Sequence, residues 1–188
     1  MRVVAMVGLP GSGKSEAAAV AREAGIPVVT MGDVIRETCR DQGIPITEET
    51  MGEVATDLRE QHGDAAIAQR SLPLIESHEA SVVLVDGIRG IAEVEYFIEA
   101  FGDDFELVSI EVPFETRLSR IQERGRDPTA ESIADLKRRD ARELGYGMGE
   151  AMDVAEINLD NTDDLEAFRA TIEAILLQGV PETADSER

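Results

Sequence analysis

Short apolar runs alternate with helix-patterned stretches along the whole chain. Val3-Val4-Ala5-Met6-Val7 is a continuous apolar run closed by Gly8, the pattern of a strand buried on both faces of a parallel sheet. The stretch 14–23 is rich in alanine and glutamate and stops before Gly25, as a helix does. A second apolar run, 26–30, follows. From Asp33 to about His78 the chain favours helix, with breaks near Gly43-Ile44-Pro45 and at Gly63 and a fresh helix start at Thr47-x-x-Thr50. The segment 81–86 (Ser-Val-Val-Leu-Val-Asp) is the clearest buried strand, and 105–112 and 154–159 supply two more. The intervals of about 91–101 and 114–145 read as helices, and 162–179 closes the series. Strands alternating with helices predict an α/β fold, a five-stranded parallel sheet sandwiched by helices. A single domain is expected over 1–180, and 181–188, with too little apolar content to dock, as a flexible tail.

Composition narrows the setting. A chain of 188 residues suits one domain. Its 18 Lys+Arg against 39 Asp+Glu leave a net charge of −21, which repels nucleic acid and anionic membrane at long range and argues against both as partners. No apolar run approaches the roughly 18 residues of a membrane span, and the N-terminal run ends too soon at Pro10-Gly11-Ser12-Gly13-Lys14 for a signal peptide. Cys39 is the sole cysteine, so an intramolecular disulfide is impossible and a reducing cytoplasm is expected. Lys14 and Lys137 are the only lysines. Acid excess with arginine for lysine suits a protein working in concentrated salt, where repulsion is screened within a few ångströms.

The chemistry is announced by Gly8-Leu9-Pro10-Gly11-Ser12-Gly13-Lys14-Ser15, which fits G-x-x-x-x-G-K-[ST] and falls between a predicted strand and a predicted helix. Several backbone N–H groups must converge on a phosphate, and Gly8, Gly11 and Gly13, flanking Ser12, allow the tightly curved path this needs. The following helix offers its unpaired N-terminal amides to the same anion. Lys14 reaches the β- and γ-phosphates, and the Ser15 hydroxyl is a Mg²⁺ ligand. Asp86, at the carboxyl tip of the clearest strand, is the expected second magnesium-binding group. The chain has no Asn-Lys-x-Asp guanine reader, which disfavours a GTPase.

In this order the pieces resemble the nucleoside monophosphate kinases and dephospho-CoA kinases over about residues 1–180, closest to an archaeal dephospho-CoA-kinase-like group. Thr30-Met31-Gly32-Asp33-Val34-Ile35-Arg36 is similar to the adenylate kinase segment Ser-Thr-Gly-Asp-Met-Leu-Arg, which implies Arg36 as a clamp on the acceptor phosphate; the family threonine is Met31 here. Asp86-Gly87-Ile88-Arg89 is similar to Asp-Gly-Phe-Pro-Arg with one residue deleted, implying Arg89 as a second clamp. Asn161-Thr162-Asp163 with Leu165-Glu166 resembles the stretch that lies against adenine in dephospho-CoA kinases. The resemblance implies a P-loop kinase that uses ATP and Mg²⁺, with an acceptor-binding helical insertion near 31–78. It implies γ-phosphoryl transfer to a nucleotide-like acceptor, a nucleoside monophosphate such as AMP ahead of dephospho-CoA. A nucleotide-dependent switch or slow ATPase is the competing class, and a monomer or homodimer is expected.

The arginines cluster. Between Arg117 and Arg142 eight basic residues face five acids, so this segment is +3 on a chain whose remainder is −24. Arg117, Arg120 and Arg124 at i, i+3 and i+7 share a helical face. This matches the lid of such kinases, near 117–147, with Arg117, Arg120, Arg124 and Arg126 set over the triphosphate and Gly145, Gly147 and Gly149 as its return hinge. Asp33 has two readings. With a phosphate acceptor it orders Mg²⁺-bound water or caps a helix; with a ribose hydroxyl it takes the proton. His62 and His78 read as surface residues, Cys39 as a small buried side chain, and 147–152 as a tight connection.

Overall fold

The structure, a computed structural model, describes residues 1–124 and 132–178. Arg126 and the 181–188 tail lie outside the described residues, as does the side chain of Arg124. In chain order the elements are β1 (Arg2–Val7), α1 (Lys14–Glu23), β2 (Val28–Thr30), α2 (Gly32–Asp41), α3 (Glu48–His62), α4 (Ala66–Glu76) and β3 (Val82–Asp86). They continue with α5 (Ile91–Phe101), a 3₁₀ turn (Gly102–Asp104), β4 (Phe105–Glu111), α6 (Phe114–Arg124), α7 (Ile133–Gly145), α8 (Met148–Asp153), β5 (Ile157–Asp160) and α9 (Leu165–Gln178).

The strands form one sheet in the order β2-β3-β1-β4-β5, and each neighbouring pair runs parallel. The predicted α/β sandwich is therefore the observed fold. Alternation along β1 decides which helices pack where. Val3, Ala5 and Val7 face a core shared with α2, α3, α4, α5 and α8, while Val4 and Met6 face one shared with α1 and α9. Parallel strands deliver their carboxyl ends to one edge, and the β1–β3 register sets Met6 opposite Asp86 there, directly below the loop that follows β1.

Local chemistry accounts for the helix boundaries. Thr47 and Thr50 form a reciprocal cap, each side-chain oxygen accepting the other's backbone N–H at 3.1–3.2 Å, which starts α3 where the sequence signals it. Ser132 and Asp135 do the same for α7. Asp135 also ion-pairs with Arg138, one turn along the helix. Three boundaries differ from the sequence pattern. Among the described residues the interval 114–145 holds two helices; the tight connection expected at 147–152 contains α8; and the last strand begins at Ile157, because Val154 closes α8 and is 51 % exposed.

Candidate functional site

The loop between β1 and α1 is a cradle that tolerates no side chain at its glycines. Gly8, Gly11 and Gly13 have φ of +149°, +83° and +119°. A Cβ on Gly8 would fall 2.7 Å from the Ile110 carbonyl oxygen, and one on Gly13 would fall 2.6 Å from Asn161 Nδ2. Ser12 Oγ is buried and has no hydrogen-bond partner among the described residues, a donor held ready in a loop built for an anion. Lys14 Nζ folds back on this loop, donating to the Gly8 carbonyl and, at 3.4 Å, to that of Leu9. Burial is the main cause that lowers its pKa to about 8, with Arg89 adding repulsion and Asp86 and Glu143 opposing the shift.

The loop opens into a cavity of about 650 Å³. Gly11 to Ser15, Asp86 and Gly87 form one end. Met31, Ile35, Ile46, Met51, Ala55 and Ile67, from the β2–α2 connection through α4, give an apolar wall. Arg36, Arg59, Arg89, Arg139 and Arg142 bring positive charge from α2, α3, the β3–α5 loop and α7. The two arginines expected as acceptor clamps, Arg36 and Arg89, thus line the same space as Lys14, and the Arg89 side chain is 45 % exposed within it. Asp33 is not among the lining residues; it is 60 % exposed and ion-paired with Arg36. Ser15 and Asp86 also line the cavity, and their hydroxyl and carboxylate oxygens are hard donors that fit Mg²⁺.

A chain of charges ties the walls together. Glu93, buried on α5, accepts from Arg59 Nη2 at 3.0 Å and from the Arg89 backbone N–H at 2.7 Å. Burial pushes its carboxyl above the usual range, against the pull of Arg59. Arg89 Nη1 donates to Glu143 Oε1 on α7 at 2.7 Å, and the Arg59 guanidinium stacks over the Tyr146 ring at 5.2 Å. Glu93, Glu143, Arg59 and Tyr146 have no counterpart in any motif, and their side-chain partners stand 34 to 87 residues away in sequence.

The remaining basic residues take other posts. Arg117, 4 % exposed, forks onto Asp140 of α7 at 2.7 and 2.8 Å and also donates to the Pro10 and Val112 carbonyls. Arg120 donates to the Asn161 carbonyl at 2.8 Å, and Asn161 Nδ2 donates to the Ser12 carbonyl at 2.7 Å. Arg117, Arg120 and Asn161 are therefore brought together, as their spacing implies, but behind and beside the phosphate loop; none of them lines the cavity. The expected return hinge resolves into one turn residue, Gly147 (φ +90°), with Gly145 and Gly149 inside helices.

A family profile described as an AAA domain matches residues 7–137. A UPF0200 protein of Halobacterium salinarum is 50 % identical over 97 % of this chain and 96 % of its own length. The chain belongs to the UPF0200 family. Another UPF0200 protein, from Methanosarcina mazei, is 47 % identical over 94 % of each chain. A UPF0200/UPF0201 protein of Archaeoglobus fulgidus is 51 % identical over 95 % of this chain, which spans only 56 % of that longer relative. Solved structures share the fold of this UPF0200 chain at low identity: TT1252 from Thermus thermophilus (17 %, TM-score 0.65, 93 % of this chain and 96 % of that one) and a gluconokinase from Sinorhizobium meliloti (18 %, TM-score 0.56, 93 % and 91 %). A shikimate kinase from Acinetobacter baumannii, solved with shikimate, has 19 % identity and a TM-score of 0.54 over 94 % and 91 %. The coarse resemblance, a P-loop kinase-like fold in an archaeal family with a halobacterial relative, stands. Among the described residues no helix is long and apolar enough to cross a membrane.

Proposed function

We propose that this UPF0200 chain is a phosphotransferase that passes the γ-phosphoryl group of Mg·ATP to a small nucleotide-like acceptor. The observation that carries the reading is the continuity of the cavity. The phosphate loop does not open on solvent alone but on a second compartment with an apolar wall and several arginines, which a switch or simple ATPase does not need. The loop amides and Lys14 hold the triphosphate. Ser15 and Asp86 hold Mg²⁺, which when bound neutralises charge on the phosphate oxygens. Arg36 and Arg89 hold an anionic group of the acceptor against the apolar wall, in line for attack. Arg117, Arg120 and Asn161 stiffen the loop from behind. The reacting group of the acceptor is either a phosphate oxygen, as in AMP, or a ribose hydroxyl, as in dephospho-CoA.

The test is a phosphoryl-transfer screen in molar KCl with Mg·ATP against nucleoside monophosphates, dephospho-CoA and no acceptor. At least one acceptor is expected to raise ATP turnover well above the acceptor-free rate, and Arg36→Ala and Arg89→Ala each to raise the acceptor KM by roughly 10-fold or more. Turnover indifferent to every acceptor, and to both substitutions, overturns the kinase reading in favour of a switch.

A further inference from the structure

Two carboxylates line the cavity among the described residues, Asp86 and Glu143. Asp86 lies at the strand tip suited to the metal, which leaves Glu143 to explain. It sits in the last turn of α7, 4 % exposed, where the helix dipole disfavours negative charge. One oxygen, Oε1, accepts from Arg89 at 2.7 Å. The other, Oε2, is buried and has no hydrogen-bond partner among the described residues. Oε1 alone serves the Arg89 salt bridge, which leaves Oε2 as the oxygen the bridge does not account for.

The groups around Glu143 limit what Oε2 can accept from. Arg89 of the β3–α5 loop holds Oε1, Lys14 is engaged with the loop carbonyls and committed to the triphosphate, and neither Arg139, one turn back on α7, nor Arg142 donates to Oε2. A phosphate oxygen set against Oε2 itself brings no proton at neutral pH and meets a like charge there, although the arginines draw anions elsewhere in the cavity. A hydroxyl brings the missing donor. We infer that Glu143 receives the proton of an acceptor hydroxyl, so that the acceptor reacts through an alcohol and not through a phosphate.

The inference rests on the kinase reading above and deepens it. The hydroxyl oxygen forms a bond to the γ-phosphorus of ATP as the bond from that phosphorus to the β–γ bridging oxygen breaks. The hydroxyl proton passes to Glu143, the electron pair leaves with ADP, and Glu143 returns the proton to solvent after release. Asp33, exposed and outside the cavity lining, is thereby relieved of the role of base.

The experiment uses the full chain in molar KCl and follows phosphate release from Mg·ATP without acceptor, where water stands in for the alcohol. Mg·ATP affinity by calorimetry and the melting temperature are measured beside it. Glu143→Gln is expected to bind Mg·ATP within ~3-fold of wild type, to melt no lower, and to lose turnover by roughly 100-fold, with Glu143→Asp in between. In the acceptor screen, phosphorus NMR is expected to show an acid-stable phosphomonoester. Undiminished turnover in Glu143→Gln, a phosphoanhydride product, or a wild type that binds Mg·ATP yet turns over neither water nor any alcohol each overturns the assignment to Glu143. So does a joint fall in melting temperature and nucleotide affinity, which marks a structural support. A wild type that binds no Mg·ATP brings down the kinase reading itself.

Discussion

Lys14 carries its charge in a place that resists it. Burial first, and then Arg89, lower its pKa from 10.5 to about 8, so at pH 8.5 much of the unliganded population has lost the proton. A triphosphate in the loop reverses the balance and favours the ammonium. Mg·ATP binding at pH 8.5 is therefore expected to take up a proton, measured as a dependence of calorimetric heat on buffer ionisation enthalpy that vanishes at pH 6.5. Binding that moves no protons at either pH contradicts this. The same shift has a sign for stability. Below about pH 8 lysine is charged in both folded and unfolded chains, and the folded state bears the full penalty; between 8 and 10.5 the penalty is relieved. Lys14→Met is expected to stabilise the unliganded protein near neutrality and to abolish Mg·ATP binding.

At the scale of elements, the join between α6 and α7 depends on Arg117. Its guanidinium and the Asp140 carboxylate are both largely buried, and removing one leaves the other charged without a partner. Arg117→Ala is expected to cost about 3–5 kcal/mol in chemical denaturation. Arg138→Ala breaks an ion pair whose arginine is 73 % exposed, and should leave the denaturation midpoint unmoved. Two glycines at the other end of α7 make a second contrast. A Cβ on Gly90 would land 1.9 Å from the Tyr146 carbonyl oxygen, so Gly90→Ala must push the α7–α8 turn off the β3–α5 loop, at a cost of about 1–3 kcal/mol. Gly145, the last residue of α7 with open space around it, should gain up to about 0.5 kcal/mol as alanine.

These elements also divide what patterning reveals from what it hides. Strand β1, the glycine loop and α1 are legible because local chemistry specifies all three: an apolar run, positive φ and a helix start. Asp86 is legible by its place at the end of a strand. Arg117 shows why other roles are not. Its spacing with Arg120 marks a shared face, yet whether that face meets a ligand or Asp140, 23 residues away, depends on how α7 folds back. Helix α8 is short, and its Gly-Met-Gly-Glu-Ala-Met stretch carries as much turn as helix signal, so only packing of Met148 and Ala151 on the core determines it. Glu143 reads as one more acid among 39 until its burial is known.

Over the whole molecule the net charge is −21, and a compact chain that anionic repels itself. Salt at molar concentration shortens the range of that repulsion to about 3 Å. The melting temperature is expected to rise by ~5 °C or more between 0.1 and 2 M KCl, read by circular dichroism; a flat or falling curve excludes charge repulsion as the dominant destabilising term. Among the described residues the cavity runs against this charge, with Lys14 and five arginines gathered among its walls. An anionic ligand that crosses the acidic exterior meets the attraction only at close range, so its affinity should depend on salt less steeply than stability does.

Because the strands all run the same way, the molecule has a working end and an idle one. Gly25, the stretch from Ser77 to Ala80, and the Gly102–Asp104 turn precede β2, β3 and β4, at the amino ends opposite the cradle. Asp103 is exposed there. A fluorophore or a surface tether attached through Asp103→Cys reports on or immobilises the protein from the far side, leaving the entrance to the cavity unobstructed.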